Sequence, residues 1–266
     1  MKRFFSKENK ALLSELVRTD FKLRYQGSVL GYAWSLLRPL FMFAILYIVF
    51  VRFIPLGKDV PHYPAYLLLG IVLWNFFVEL TSQGLGSIVG RGDLIRKISI
   101  PRWMIIFSSS VSALINLSLN LLVLAIFLVI NGVNPGLNLL WLPVYVVEIY
   151  ILAAGLALFL SAAFVKYRDI GYIWEVAVQA GFYVSAIIYP LTKIEGEVYR
   201  KLILLNPIAQ AIQDTRDKLI TNQSLTASDV FNGGFYMFIP FFIVVVIFLI
   251  GAWYFRKQQK YFAENI

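Results

Sequence analysis

The sequence predicts an all-α integral membrane protein with six transmembrane helices. An N-terminal amphipathic interfacial helix precedes them, and short external helices lie between spans five and six. Three observations carry the prediction. Of 266 residues, 59% are hydrophobic and only 15% charged, with a mean hydropathy of +0.73; a soluble domain carries roughly 25% charge. Apolar runs of about 20 residues, the length that crosses roughly 30 Å of hydrocarbon, recur along the chain. Lys and Arg gather in alternate connections between those runs.

Residues 1–30 form the first unit and 31–266 the six-span unit. In the first, Leu12, Leu13, Leu16, Val17 and Phe21 recur at helical spacing among Lys10, Arg18, Lys22 and Arg24. Such a helix lies along a membrane surface or packs on a partner. No apolar core followed by a small-residue cleavage site is present, so no cleaved signal is expected. Span one covers about 32–54, with Arg38-Pro39 near its start, and span two about 64–80, ending near Glu79. Residues 103–147 carry no charge and exceed one helix. The turn chemistry of Asn131-Gly132-Val133-Asn134-Pro135-Gly136 divides them into spans of about 104–130 and 139–165. Spans five and six follow at about 170–191 and 235–255.

Between spans two and three, a glycine-rich stretch leads into a basic amphipathic one stopped by Pro101. A short helix around 93–98, with Asp93 near its positive end, fits either a docking surface or an ordinary basic loop. Residues 192–234 are too long and too patterned for a plain link; Tyr199–Leu205 and Ile208–Ile220 have helical spacing around Asn206-Pro207. Seventeen Lys and Arg fall on the side of both termini and seven on the other. Both termini are therefore expected in the cytoplasm, with the chain multi-pass in the cytoplasmic (inner) membrane.

Composition also excludes chemistry. With no cysteine and one histidine, His62, thiol catalysis and Cys or His metal sites are absent, and no metal is expected. No phosphate-binding G-x-x-x-x-G-K-[ST] occurs, so energy must come from an ion gradient or another subunit. The +9 net charge orients spans and gives no reason to expect nucleic acid. Glu79, Glu148 and Glu175 stand toward span ends, where an intramembrane carboxylate costs less than at the midplane. Along span five, Tyr172, Glu175, Gln179, Phe182, Tyr183 and Tyr189 fall near one helical face. That mixture suits a wet conduit or a helix contact better than lipid. Span one adds Trp34, Phe41 and Tyr47 among aromatics spread over two faces; interface belts and plain packing use the same residues.

Asp20-Phe21-Lys22-Leu23-Arg24-Tyr25-Gln26-Gly27-Ser28-Val29-Leu30-Gly31-Tyr32-Ala33-Trp34, followed by Arg38-Pro39, resembles the opening of ABC-2-type permeases that export cell-surface polysaccharides. O-antigen and teichoic-acid exporters belong to that family. Asp93-Leu94-Ile95-Arg96-Lys97 with Pro101-Arg102 resembles its coupling segment, Tyr167-Arg168-Asp169-Ile170 its loop between spans four and five, and Asn206-Pro207 its external segment. The resemblance implies a transport subunit, not an enzyme, that pairs with a second copy of itself. Two ATP-binding cassette subunits would use ATP and Mg, and this chain would carry no cofactor. The substrate implied is a lipid-linked polysaccharide moved outward. Arg18, Lys22, Arg24 and Arg38 would meet a lipid pyrophosphate, and the aromatics of spans one and five would line the conduit. Asp93, Leu94, Ile95, Arg96, Lys97, Arg168 and Asp169 would couple to the ATPase. Three rival readings are an ABC-2 exporter of lipids or drugs, a membrane glycosyl- or acyltransferase, and a proton-coupled transporter working through Glu148.

Overall fold

The computed structural model describes residues 7–25, 27–54, 56–97 and 100–265. The side chains of Phe21 and Arg24, like Ile98 and Ser99, lie outside the described residues. Among the described residues all regular structure is helical: α1 (Lys7–Tyr25), α2 (Trp34–Tyr47), α3 (Tyr63–Ser87), α4 (Gly92–Lys97), α5 (Trp103–Ile130), α6 (Leu142–Lys166), α7 (Ile170–Val184), α8 (Glu197–Leu204), α9 (Pro207–Leu219), α10 (Ala227–Val230), α11 (Ile239–Gln258) and α12 (Phe262–Asn265).

Helix boundaries follow local chemistry. Pro64, Pro143, Pro207 and Pro240 sit in first turns, where their missing N–H costs nothing. Asn131 donates its side-chain amide to the Phe127 carbonyl, and Gly132, at φ 69°, ends α5 in the left-handed region. Asn206 caps α9 by accepting from the Ile208 N–H at 3.2 Å. Thr226 and Asp229 cap α10 reciprocally.

Among the described residues five helical segments are long and apolar enough to cross a membrane: Trp34–Phe53, Tyr63–Ser87, Trp103–Ile130, Gly136–Lys166 and Phe235–Tyr261. These correspond to five of the six expected spans. The sixth expectation, a continuous span over 170–191, meets only the 15-residue α7, about 22 Å at 1.5 Å per residue. The helix ends at Val184 because Ala186 turns to φ 51° and the next residues run inward, buried. Span two is longer than expected. It continues to Ser87 because Thr81, Gln83 and Ser87 bond back onto their own helix and do not break it. Glu79 thus lies two turns inside the helix, not at its end.

α3 is the central post, apolar on nearly every side from Tyr63 to Phe77 and buried accordingly. α5 and α6 pack against it, and α11 packs on the far side of α6. Glycines set these approaches. A Cβ on Gly84 would collide with Ala157, and one on Gly251 with the Gly155 backbone, so small residues let the helix pairs close. α2 lies against α3 and α5, while α7 touches α3 and α6 at the edge with no buried residue.

The segment after α7 is pinned to the start of α3 by Arg216 of α9, a fully buried side chain. Its guanidinium donates to the carbonyls of Tyr66 at 3.0 Å, Ala186 at 2.9 Å and Ile187 at 2.7 Å. It also lies 3.6 Å from the centre of the Tyr66 ring. A side chain at residue 70 would meet the guanidinium, so Gly70 leaves its room. The Tyr66 hydroxyl donates to Gln213 at 3.0 Å, Tyr63 donates to the Ile188 carbonyl, and Asn206 donates to Ser185 at 3.0 Å. The expected short helices at Tyr199–Leu205 and Ile208–Ile220 form as α8 and α9, but α9 is largely buried and carries the cation that holds this region.

Arg216→Met keeps the volume and removes the donors. Ala186 and Ile187 lie outside helices; the Ile187 carbonyl loses its partner at about 1–3 kcal/mol, while the Ala186 carbonyl keeps only the longer bond from Gln213 at 3.4 Å. Thermal unfolding of the full chain in detergent is expected to shift down by several degrees, with new proteolytic cleavage between residues 185 and 220. An unchanged melting profile contradicts the clamp.

Candidate functional site

Two regions gather the polar and charged residues. The first is a strip along α3. Trp74 and Phe77 face α7, with ring centres 6.1 Å from Phe182 and Trp174 respectively. Val72, Phe76 and Gln83 turn toward α2 and α5. At about 100° per residue, Asn75, Val78 and Ser82 stand between those faces. Ser82 is exposed and the other two half-buried. α2 and α7, the two helices predicted to carry the conduit aromatics, thus flank one open strip of the central helix.

Beside the strip, α2, α3 and α5 enclose a cavity of about 490 Å³. Trp34 and Arg38 of α2 line it, with Asn75, Glu79, Ser82 and Gln83 of α3 and Asn116 and Asn120 of α5. Its walls are tied to one another. Pro39 has no N–H to offer the Ser35 carbonyl, and the Asn120 side chain donates to it at 3.4 Å and to the Asn116 carbonyl at 2.8 Å. The Glu79 carboxylate accepts from Gln83 at 2.8 Å and from Asn116. Sequence reading missed Asn75, Ser82, Gln83, Asn116 and Asn120, because they come from two helices and have no shared spacing.

The remaining conduit candidates divide. Tyr172, Glu175, Gln179 and Tyr183 occupy one exposed flank of α7, and Ile173, Ala177, Ala180 and Val184 the other. Phe182 turns inward with Trp174 and Val178 onto α3. Tyr189 lies beyond the helix end, so it leaves the stripe; its hydroxyl donates to the Tyr183 carbonyl at 2.7 Å. On α2, Phe41 is exposed, its ring 6.4 Å from Trp34, and Tyr47 is half-buried beside Phe43. Of the four cations assigned to a pyrophosphate, the Arg24 side chain lies outside the described residues. Arg38 lines the cavity, while Arg18 and Lys22 are exposed on α1.

The second region is the end of the bundle where α3 stops. α4 presents Asp93, Arg96 and Lys97 outward, with Leu94 half-buried and Ile95 buried beneath, and α12 packs against it. Arg168 and Asp169 are exposed in the connection after α6. α1 packs along α5 and is latched there. Asp20 pairs with Arg91, immediately before α4, and accepts from Ser108 at 3.1 Å. Arg91 also donates to Ser108 at 3.0 Å. Burial lowers the Arg91 pKa. At the opposite end of the bundle the exposed pairs Asp59–Lys193 and Glu197–Lys201 depress their carboxylate pKa values by hydrogen bonding and charge. Among the described residues no cluster of three His, Asp or Glu is placed to hold a metal.

Residues 11–220 match the ABC-2 type transporter family. The chain belongs to that family. An O-antigen export system permease protein RfbA from Klebsiella pneumoniae is 28% identical over 254 residues, 95% of this chain and 94% of its own length. A permease of the same name from Myxococcus xanthus is 29% identical over 203 residues, covering 75% of this chain and 76% of that one. The polysialic acid transport protein KpsM of Escherichia coli is more distant, at 22% over 256 residues and 94% and 95% of the two chains. The ABC-2 family is one of transport permeases, and the bundle has the many spanning helices such a protein needs.

The Asp20–Arg91–Ser108 latch is mostly shielded from solvent. A hydrogen bond to a charged group contributes about 1.5–3 kcal/mol, so Asp20→Asn is expected to raise local opening of α1 about tenfold or more. Hydrogen–deuterium exchange in the full chain should show faster exchange over Leu12–Asp20, with α3 unchanged. Arg91→Gln should reproduce it, and wild-type exchange in both variants contradicts the latch.

Proposed function

We propose that this chain is the membrane subunit of an ATP-driven exporter that moves a lipid-linked cell-surface polysaccharide, of the O-antigen class, outward across the cytoplasmic membrane. The observation that carries it is the open strip of α3 between α2 and α7, in a family member whose relatives named for O-antigen export match along nearly the whole chain. A polymer conveyor needs a continuous wall that offers hydrogen bonds without a deep specific grip. Amides, hydroxyls and amphipathic rings supply such a wall. The exposed polar flank of α7 has the same character, and its opposite apolar flank suits lipid.

The wall in one copy is open, and a second copy completes the conduit. The end bearing α4, the connection after α6 and α12 faces the cytoplasm, where its cations satisfy the positive-inside rule. There α4 docks on an ATP-binding cassette subunit, one per permease, and ATP and Mg are bound by that subunit. Arg91 ties α4 to α1 through Asp20, so a push on α4 also moves the helix along α5. Arg18, Lys22 and Arg24 of α1 remain the contacts proposed for an anionic lipid headgroup.

Removing the chain from its source cell should abolish surface polysaccharide and leave lipid-linked polymer inside. A plasmid copy should restore export, and Tyr183→Leu should restore it only partly, by several-fold less. Unchanged surface polymer, or loss of lipid or drug efflux alone, overturns the proposal.

A further inference from the structure

We infer that a resident proton closes the contact between α6 and α9: the Glu148 carboxyl carries it as a neutral acid, and its loss loosens α9 from the bundle. The proton belongs to the fold and is not moved with a substrate. The inference therefore stands apart from the export reading and from proton-coupled transport.

Glu148 lies within two turns of the start of α6. It is 6% exposed, and both of its oxygens are buried without a hydrogen-bond partner. Its polar neighbours are Gln210 and Asp214 of α9. Gln210 is fully buried and donates its amide to Asp214 at 2.6 Å. That bond fixes which way the amide points, because a flip would set its oxygen against a carboxylate. Gln210 Oε1 is thereby left buried and without a partner as well. Three acceptor oxygens in one helix contact have no donor. An ionised carboxylate accepts only, whereas a protonated one brings the missing O–H. A proton also needs no room, and these buried oxygens leave none for a hydrated ion.

Geometry decides which carboxyl takes it. Asp214 accepts from Gln210 and from the Ala227 N–H at 3.4 Å, while Glu148 accepts from no group. Burial raises the Asp214 pKa, and those two bonds oppose the rise. Two acids that face each other do not both ionise readily, and the one without donors keeps the proton.

The surroundings supply no counter-charge. On α9, Lys218 is given to Asp217 at 2.9 Å, and Arg216 to three carbonyls on the side of α3. Tyr145, one turn earlier on α6, faces Glu148, Asp214 and Asp217 as a phenol. From α3 come Tyr63 and Tyr66, whose hydroxyls go to Ile188 and Gln213. Residues 136–141, α5 and residues 239–252 of α11 bring no titratable side chain. The charged groups of α12 and the end of α11 lie at the other end of α6, beside α4. The contact is thus closed at neutral pH. As the solution becomes alkaline and the proton leaves, two carboxylates and an unpartnered amide oxygen oppose each other across it.

The full permease in lipid nanodiscs is compared with Glu148→Gln, whose amide is a permanent donor. At neutral pH the infrared difference between them is expected to show the C=O stretch of a protonated carboxyl, present in wild type alone. Hydrogen–deuterium exchange over residues 207–219, corrected for the intrinsic effect of pH, is then followed from neutral to alkaline solution. Wild type is expected to lose protection about fivefold or more, and Glu148→Gln to keep it. A missing band, a band that survives in Glu148→Gln, or the same pH dependence in both proteins overturns the inference. If Glu148→Gln does not assemble, wild type alone decides. The band and the protection of α9 must then fade over the same pH interval, and fading of one without the other overturns the inference.

Discussion

A backbone that leaves a helix among apolar neighbours must find donors for its carbonyls, and Arg216 meets that constraint here. Ala186 and Ile187 lie outside any helix, in a buried strap after α7, and one guanidinium binds both. The same group reaches the Tyr66 carbonyl and lies over the Tyr66 ring, so the strap and α9 are fastened to the start of α3. The planar, five-donor guanidinium can serve three carbonyls at once, which an ammonium on the same stem could not match in geometry. The short α7 depends on this. A 15-residue helix falls short of a full crossing, and the strap with α9 fills the volume beside its end.

Opposite that clamp, the bundle ends in a second polar junction. Asp20, Arg91 and Ser108 join α1, the turn before α4, and α5. Between the two junctions α3 runs nearly dry, with amides and one carboxylate only on the side that faces the cavity. The result is a rigid post with a wet margin, held at both ends by hydrogen-bonded arginines.

Much of this was legible in the residues. Five expected spans match helices because long apolar runs have one structural outcome in a membrane. The short helices around Asn206-Pro207 were legible from apolar spacing, and α4 from the basic amphipathic stretch stopped by Pro101. Other features were hidden by the same logic. Thr81, Ser82 and Gln83 look like the end of a span, yet bonding back to the helix lets α3 continue to Ser87. Tyr189 fits a helical period with Tyr172, but periodicity fails once Ala186 turns the chain. Arg216 counts as one more external cation in a charge tally, although its side chain is fully buried. The cavity residues Asn75, Asn116 and Asn120 carry no charge and share no motif. Only the packing of α2 on α3 and α5 brings them together.

Exposure to water along one side of α3 and one flank of α7 is what a conduit requires and a lipid-facing surface forbids. The cysteine-free chain permits a direct measurement: single cysteines at positions 75, 82, 179 and 183, and at 122, 173 and 177, treated with a membrane-impermeant thiol reagent in the assembled permease. Reaction at the first four and silence at the last three is the predicted pattern. Equal reactivity at both sets, or reaction confined to 122, 173 and 177, would contradict a conduit along this face.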